Sequence, residues 1–418
     1  MAKYRKEKSV ARVRKKKVFE TKAIQSNEQL GYVDALSRVA IQTKLQEALE
    51  AERDEIVGRA WHAHHRGDGP RDYRNGYGDP RSLTCGCGTV EIQMPRTRQG
   101  YASGMVGKYE RLTPAMKNLL PELYLHGLAT GDFEPAFGWL WGEDAPLSTS
   151  TIVRLKQQWE KEYDQWKDRP LEKEYLYLWA DGIYPKGGPI DETLALLVVV
   201  GVNRRGEKQL LAIEEGYRES EDSWRDVFRN LKRRGVEWIG LVTGDGIAGL
   251  WKALRSVFPL ARHQRCWVHK MRNILDKVPK KVHDEVLTAL RKIYYASSYK
   301  EAQHLKQEFV RQYRSSYPKA VKSFEEPGDS LFAYFRFPAQ HWKSIKTTNP
   351  IESLFSTVRL RTRAARRLRN RMATVCLVFQ LLKHSEKRLN RLGGYKLIEE
   401  TIDTVRSQQL KTKKRLAA

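Results

Sequence analysis

Apolar positions divide the chain into stretches of different periodicity. From residue 32 to 65 they recur every three to four places (Leu36, Ala40, Leu45, Leu49, Ile56, Val57, Trp61), which predicts a long helix. The following RNGYGDPRSLTCGCGTVEIQMPRTR is rich in glycine, and Val90, Ile92 and Met94 alternate with polar residues, the pattern of a small β-hairpin. Helical spacing returns over residues 113–168. One helix is opened by Thr113 and Pro114 and closed by Gly127, a second is entered near Thr130, and a third is capped by Ser148 or Thr149. From residue 174 the order becomes strand, strand, strand, helix, strand, helix. The strands are expected at 175–180, 193–203, 209–214 and 238–243, and the helices at about 220–234 and 247–257. PLARHQRCWVHKMRNIL adds a short strand and a helix, and residues 277–343 are helical in period throughout. A helix capped by Asn349 or Thr348 starts at Pro350 with Glu352 in its first turn, and another covers about 372–392. The tail from Thr404 is basic and is expected to be loose.

Three consecutive strands, a helix and a further strand describe a mixed α/β sheet of the ribonuclease-H type. The expected organisation is a basic disordered arm (1–30), a helical and hairpin region for DNA binding or dimerisation (31–110) and a helix-turn-helix-like region (111–170). The first part of a ribonuclease-H-like core (171–276), an all-helical insertion (277–345), the rest of the core (346–395) and a basic tail (396–418) follow. A chain of 418 residues suits several domains.

Charge narrows the partners. Lys and Arg number 76 against 50 Asp and Glu, a net +26 with a pI near 9.8, and nine of the first twenty residues are basic. Such an excess favours a polyanion, most simply nucleic-acid phosphates, although solubility alone also suits a high pI. A membrane is the rival polyanion. The longest apolar run is the nine residues from Leu194 to Val202, against about 18 for a span, and no signal-peptide pattern follows the basic start. A cytoplasmic, nucleoid-associated protein is expected. The four cysteines, Cys85, Cys87, Cys266 and Cys376, are too irregular for a disulfide framework. His62, His64 and His65 with Cys85 and Cys87 invite a zinc reading, but Cys-x-Cys and His-x-His make poor tetrahedral pairs.

The sharpest chemical signal is a repeated design, an apolar strand ending in Asp-Gly. It occurs at Asp181-Gly182 and again at Asp245-Gly246, where Gly244 and Gly246 are expected to let the backbone turn tightly. A carboxylate at the end of a buried strand needs a cation or donor. Asp181, Asp245 and Glu352 together suit two divalent ions, Mg²⁺ or Mn²⁺, for in-line displacement at phosphorus. Taken singly, each acid reads equally as a turn residue or a favourable first-turn acid. Asp191, Glu192, Glu214, Glu215 and Asp222 compete but lack the strand–Asp–Gly setting. Seven arginines lie between Arg359 and Arg371, and Arg359, Arg361, Arg363, Arg366 and Arg367 are expected to hold DNA phosphates. Ser148, Thr149, Arg154 and Lys156 on the third helix of the 113–168 region, with Arg96 and Arg98 after the hairpin, are further expected DNA contacts, although an ordinary helical bundle would show the same spacing.

At these residues the chain resembles transposases of the bacterial Mutator type, the insertion-sequence relatives of eukaryotic Mutator-like elements. The resemblance runs from about Arg71 to Arg371. DGIYPK at 181–186 matches D-G-x-Y-x-K, and residues 245–250 match D-G-x-x-G-L. Cys266 and His269 match a C-x-x-H signature, and residues 347–362 match T-T-N-x-I-E…F…R-x-R-T. RNGYG, MPRTR and ELYLHGLAT are similar to the family's upstream region. Gly187 and Gly188 stand where the family usually continues to an arginine, so no arginine role carries over. The resemblance implies a DDE transposase whose catalytic residues and metal ligands are Asp181, Asp245 and Glu352, with two Mg²⁺ or Mn²⁺ ions per site. Its partners would be double-stranded DNA, as terminal inverted repeats and target, and further copies of itself, as a homodimer or larger. Cys266, His269 and Trp342 are expected to have structural or DNA-positioning roles, with base stacking a further use for Trp342. A transposase-derived DNA-binding regulator and another ribonuclease-H-like nuclease, such as a resolvase, are the alternatives.

Overall fold

The computed structural model describes residues 32–58, 72–126, 136–137, 149–185, 195–216, 218–364 and 371–417. The chain divides into two compact units, 1–155 and 156–418. The basic arm, the three neighbouring histidines, the second helix expected from Thr130 apart from residues 136–137, Ser148, Asp191, Glu192, Arg366 and Arg367 lie outside the described residues, as do the side chains of Thr149, Lys156 and Arg363.

In the first unit, helix α1 (Tyr32–Val57) packs against a hairpin of β1 (Arg74–Cys85) and β2 (Gly88–Thr97). The hairpin pattern was legible because Leu83, Val90 and Ile92 turn inward and close with Leu49 and Val106 into one apolar cluster. A side-chain clasp fixes the helix across the strand. The Gln46 amide donates to the Gln93 carbonyl and accepts from the Gln93 N–H, both at 3.0 Å. Gly58, at φ +65°, follows the last helical turn. Helix α2 (Pro114–His126) starts at the expected proline, and the helix expected from Ser148 or Thr149 is α3 (Thr149–Lys167).

In the second unit a five-stranded sheet has the order β5-β4-β3-β6-β7. Its strands are β3 (Glu174–Ile183), β4 (Ala195–Val202), β5 (Lys208–Gly216), β6 (Trp238–Gly244) and β7 (Arg262–Arg265). The first three form an antiparallel meander, while β6 and β7 run parallel to β3. The protein is thus mixed α/β, with a mixed sheet and many helices. Helices α4 (Glu221–Arg233) and α5 (Ala248–Val257) cover one face, where Trp224, Phe228, Leu231, Leu250 and Leu254 pack on Leu178, Ala180 and Val242. Ser220 caps α4 by accepting from the Ser223 N–H at 3.2 Å.

Alternation along β3 sends Tyr177, Trp179 and Asp181 to the opposite face. That face is met by residues 337–352. The chain reaches them through α6 (Trp267–Leu275), α7 (His283–Tyr294), α8 (Tyr299–Tyr313), α9 (Pro318–Glu325) and α10 (Ala339–Ile345), and every described element between β7 and residue 345 is helical. Then come α11 (Asn349–Ala364), α12 (Arg371–Glu386) and α13 (Ile398–Ala417).

The end of the chain departs from expectation. Residues 404–417 continue a helix instead of a loose tail. Ile398, Ile402, Val405 and Gln409 follow one another at helical spacing and are all buried. Gln409 accepts from the buried Trp238 indole N–H at 2.6 Å and donates to the Leu260 carbonyl at 2.5 Å. The basic residues between these positions hid a regular apolar stripe.

Candidate active site

The parallel pairing of Ala180 with Gly244 puts the two Asp-Gly steps side by side. Asp181 and Asp245 each lie one residue beyond that pair, on strands that neighbour at about 4.8 Å. The third acid comes from a distant part of the chain, fastened to the sheet at successive points. His341 Nδ1 and the Tyr177 hydroxyl are 2.7 Å apart, the Trp179 indole donates to the Ser344 carbonyl at 3.1 Å, and the Thr243 hydroxyl donates to the Ile345 carbonyl at 2.6 Å. The Trp267 N–H donates to the Lys346 carbonyl at 3.0 Å, and the Thr348 N–H to the Cys266 sulfur at 3.3 Å. Lys346 is buried with its ammonium 3.5 Å from the Tyr294 ring centroid and bonded to the Tyr294 carbonyl at 2.8 Å. Glu352 follows in the first turn of α11, its N–H bonded to the Thr348 carbonyl at 3.0 Å.

This fastening brings Glu352 to Asp181. One ligand atom from each of Asp181, His269 and Glu352 lies within 4.8 Å of the others. His269 Nε2 is 3.3 Å from Glu352 Oε1. Burial pushes the Asp181 carboxyl up to about 7; Glu219 and Glu352 add to this, while His269 opposes it. The His269 imidazole is raised to about 9, first by its bond to Cys266 and then by Asp245 and Asp181, against the effect of burial. The imidazolium therefore supplies positive charge among the carboxylates.

Asp245 is not one of the three converging residues. It lies 3.8 Å from Arg265, whose side chain is 8% exposed, and it accepts from the Gly246 N–H. Glu219, just before the α4 cap, escaped the sequence reading. Its carboxylate accepts from the Tyr184 hydroxyl at 2.8 Å and is raised chiefly by burial and by Asp245. The signal was present in DGIY, where Tyr184 lies three residues from Asp181, but nothing local links it to residue 219.

The glycines serve space, not turning. Neither Gly244 nor Gly246 has a positive φ. A Cβ on Gly246 would stand 0.7 Å from the Arg265 guanidinium, one on Gly182 2.4 Å from a Glu219 oxygen, and one on Gly244 2.4 Å from the Leu250 side chain. Each glycine makes room for the side chain that packs on it.

The remaining expected residues fall in varied settings. Cys266 is buried. Trp342 donates its indole N–H to the Phe337 carbonyl at 2.8 Å and packs edge-on to Tyr334 and Phe335, the setting of a packing residue. Arg359 is exposed beside Phe355, whereas Arg361 is buried at 5% and does not offer its guanidinium to solvent. Arg154, Arg96 and Arg98 are exposed, with Arg98 over the Tyr73 ring. Cys85 and Cys87 have their sulfurs 3.2 Å apart. Among the described residues no helix is long and apolar enough to cross a membrane.

The donor set suits a divalent cation. The carboxylate oxygens of Asp181 and Glu352 match Mg²⁺ or Mn²⁺. The Asp181 carboxyl, raised first by burial and further by Glu219 and Glu352, is short of positive charge, which such an ion would supply.

Comparison with known proteins places the chain in a family. The family model for Mutator-family transposases matches residues 13–391. The transposase for insertion sequence element IS6120 of Mycolicibacterium smegmatis is 43% identical over 284 residues, covering 68% of this chain and 88% of the relative. That for element IST2 of Acidithiobacillus ferrooxidans is 39% identical, covering 61% and 87%. That for ISRM5 of Rhizobium meliloti is 33% identical, covering 82% and 85%. The solved Drosophila P element transposase strand transfer complex overlaps 66% of this chain and 82% of that one at 12% identity and a TM-score of 0.28, too slight a likeness to argue from. With nearly the whole chain matched, the protein belongs to the Mutator family of transposases.

Proposed function

We propose that the chain is a DDE transposase with a ribonuclease-H-like core, which binds the terminal inverted repeats of its own element and cleaves and joins DNA strands. Asp181, Asp245 and Glu352 are its catalytic acids and metal ligands. The strand order, an antiparallel meander flanked by two parallel strands, supports the core assignment. The observation that carries the reading is the return of Glu352 to Asp181 after a long helical stretch, with ligand atoms within 4.8 Å.

Asp181, Asp245 and Glu352 would hold Mg²⁺ or Mn²⁺ ions, two per site, with His269 beside them. When bound, such ions activate an attacking oxygen and neutralise a leaving one at phosphorus. The chain's own part is to gather negative charge at one end of the sheet. Asp181 is held rigidly by its strand, Asp245 is kept beside the Arg265 guanidinium, and Glu352 is set by the segment fastened to β3 and β6. Exposed basic residues, Arg359 among them, hold DNA phosphates by charge and forked hydrogen bonds. A dimer or larger assembly brings two element ends together.

The test is strand transfer on linear DNA carrying the element's ends, with Mg²⁺, with Mn²⁺ and with chelator. Asp181→Ala, Asp245→Ala and Glu352→Ala are each expected to lose at least about a thousandfold in rate while still binding the ends. Full activity in any of the three removes that residue from the site.

A further inference from the structure

Cys266 has no part in the chemistry above and His269 only stands beside the acids, yet the side chains of both are engaged. We propose that Cys266, His269 and Thr348 form a positioning device that aims the Glu352 carboxylate. The proposal rests on the reading of Glu352 as a catalytic acid.

Cys266 stands where two parts of the site meet. Its N–H donates to the Gly244 carbonyl at 2.9 Å, one residue before Asp245. Its sulfur accepts from the Thr348 N–H at 3.3 Å and lies 3.3 Å from the Thr348 hydroxyl. One residue, through its N–H and its sulfur, thus ties the end of β6 to the start of α11. Thr348 is wholly buried, and its carbonyl begins the helix by accepting from Ile351 and Glu352. Its hydroxyl donates to Glu352 Oε1 at 3.2 Å. His269, one turn into α6 from Cys266, approaches the Thr348 hydroxyl at 3.5 Å with Nδ1 and the same Glu352 oxygen at 3.3 Å with Nε2. The Thr348 hydroxyl thus donates to Glu352, and the His269 ring bridges the Thr348 oxygen and the same Glu352 oxygen.

A glutamate has three side-chain torsions and samples several rotamers when unrestrained. Two donors converging on one oxygen select one of them, and the other carboxylates need Glu352 in that place. The spacing has a geometric reason. Cys266 caps α6 and reads the backbone of Thr348, and three residues later the helix returns to the same face, where His269 reads the carboxylate. Thr348 acts through Glu352, so it is a positioning residue and not a catalytic one.

The experiment compares Thr348→Val, Thr348→Ser and Cys266→Ala in the full chain, with Glu352→Ala in parallel. It reads strand-transfer rate, end binding, melting temperature, Mn²⁺ affinity by calorimetry and zinc content. Removing a group that orients a metal ligand typically weakens metal affinity by about 10–100-fold, so Thr348→Val should lose about that in Mn²⁺ affinity and at least about tenfold in rate. Melting temperature and end binding should stay near wild type, and Thr348→Ser, which keeps the hydroxyl, should recover most of the loss. Cys266→Ala should fall between wild type and Thr348→Val. Wild-type rate and Mn²⁺ affinity in Thr348→Val, or no recovery in Thr348→Ser, overturns the proposal. So does stoichiometric zinc that is lost in Cys266→Ala, which would make the pair a metal site. An inactive Glu352→Ala beside a fully active Thr348→Val sinks positioning alone, whereas a fully active Glu352→Ala sinks the catalytic reading and positioning together.

Discussion

Asp181-Gly182 and Asp245-Gly246 are the same local design in opposite electrostatic company. Asp181-Gly182 lies in the last residues of β3 and Asp245-Gly246 just beyond β6, and both glycines lie under a charged side chain. Over Gly182 that side chain is Glu219, an acid; over Gly246 it is Arg265, a base. Asp181 therefore faces further negative charge and is relieved by His269 and its own backbone, while Asp245 faces a guanidinium 3.8 Å away. Identical dipeptides on neighbouring strands thus differ in what they demand from their surroundings. A stretch of sequence specifies where a carboxylate leaves a sheet, and the packing over it decides how readily that carboxylate stays charged.

The strongest way to break this contrast is to neutralise each aspartate in metal-free buffer. The Asp181 carboxyl is raised to about 7 from 3.8, so the folded state holds its proton more tightly than the unfolded chain does. The stability this gives is complete below about pH 4 and is lost as the pH rises through about 7. Asp181→Asn should then gain on the order of 2–4 kcal/mol at pH 8 relative to wild type, and show little gain at pH 4. Asp245→Asn should lose about 1–3 kcal/mol at the same pH, because it strips Arg265, 8% exposed, of its ion partner. Denaturant unfolding at the two pH values measures both. Shifts of the same sign would dissolve the comparison.

Smaller effects sharpen it. Gly246→Ala drives a methyl into a buried guanidinium and should destabilise by about 2–3 kcal/mol, whereas Gly182→Ala meets only the tip of Glu219 and should cost about 1 kcal/mol. Equal losses in thermal melts would mean that Glu219 is as firmly held as Arg265. Tyr184→Phe removes the hydroxyl bonded to Glu219 and should change stability by no more than about 1 kcal/mol. A titration of Glu219 followed by carbon NMR should then move to higher pH, since the lost bond favoured its charged form.

What the chain disclosed beforehand follows the reach of local signals. Strands, helices and the two Asp-Gly ends were readable because each is written in consecutive residues, and so was the first-turn position of Glu352. Glu219, Arg265 and the Glu352 contact of His269 were not, because their significance arises from side chains converging across the sheet end. The glycines were misread for the same reason. Sequence suggests the common use of glycine, a tight turn, and only packing reveals that Gly246 makes room for an arginine. The closing helix was missed because its basic composition outweighed a stripe of buried residues from Ile398 to Gln409.

The fastening of residues 341–348 to the sheet also sets an order of events in synthesis. The Trp179–Ser344 bond joins positions 165 residues apart. At roughly 5–20 residues per second, a ribosome takes on the order of ten to thirty seconds to cover that separation. During that interval β3, β4 and β6 can pair and bury their apolar faces while the partner of Asp181 has yet to be made. On the proposed assignment, a nascent chain is harmless to the genome that encodes it until its last acid has emerged and been tied down. On the same assignment, interrupted translation would leave a sheet with two carboxylates and no means of cutting.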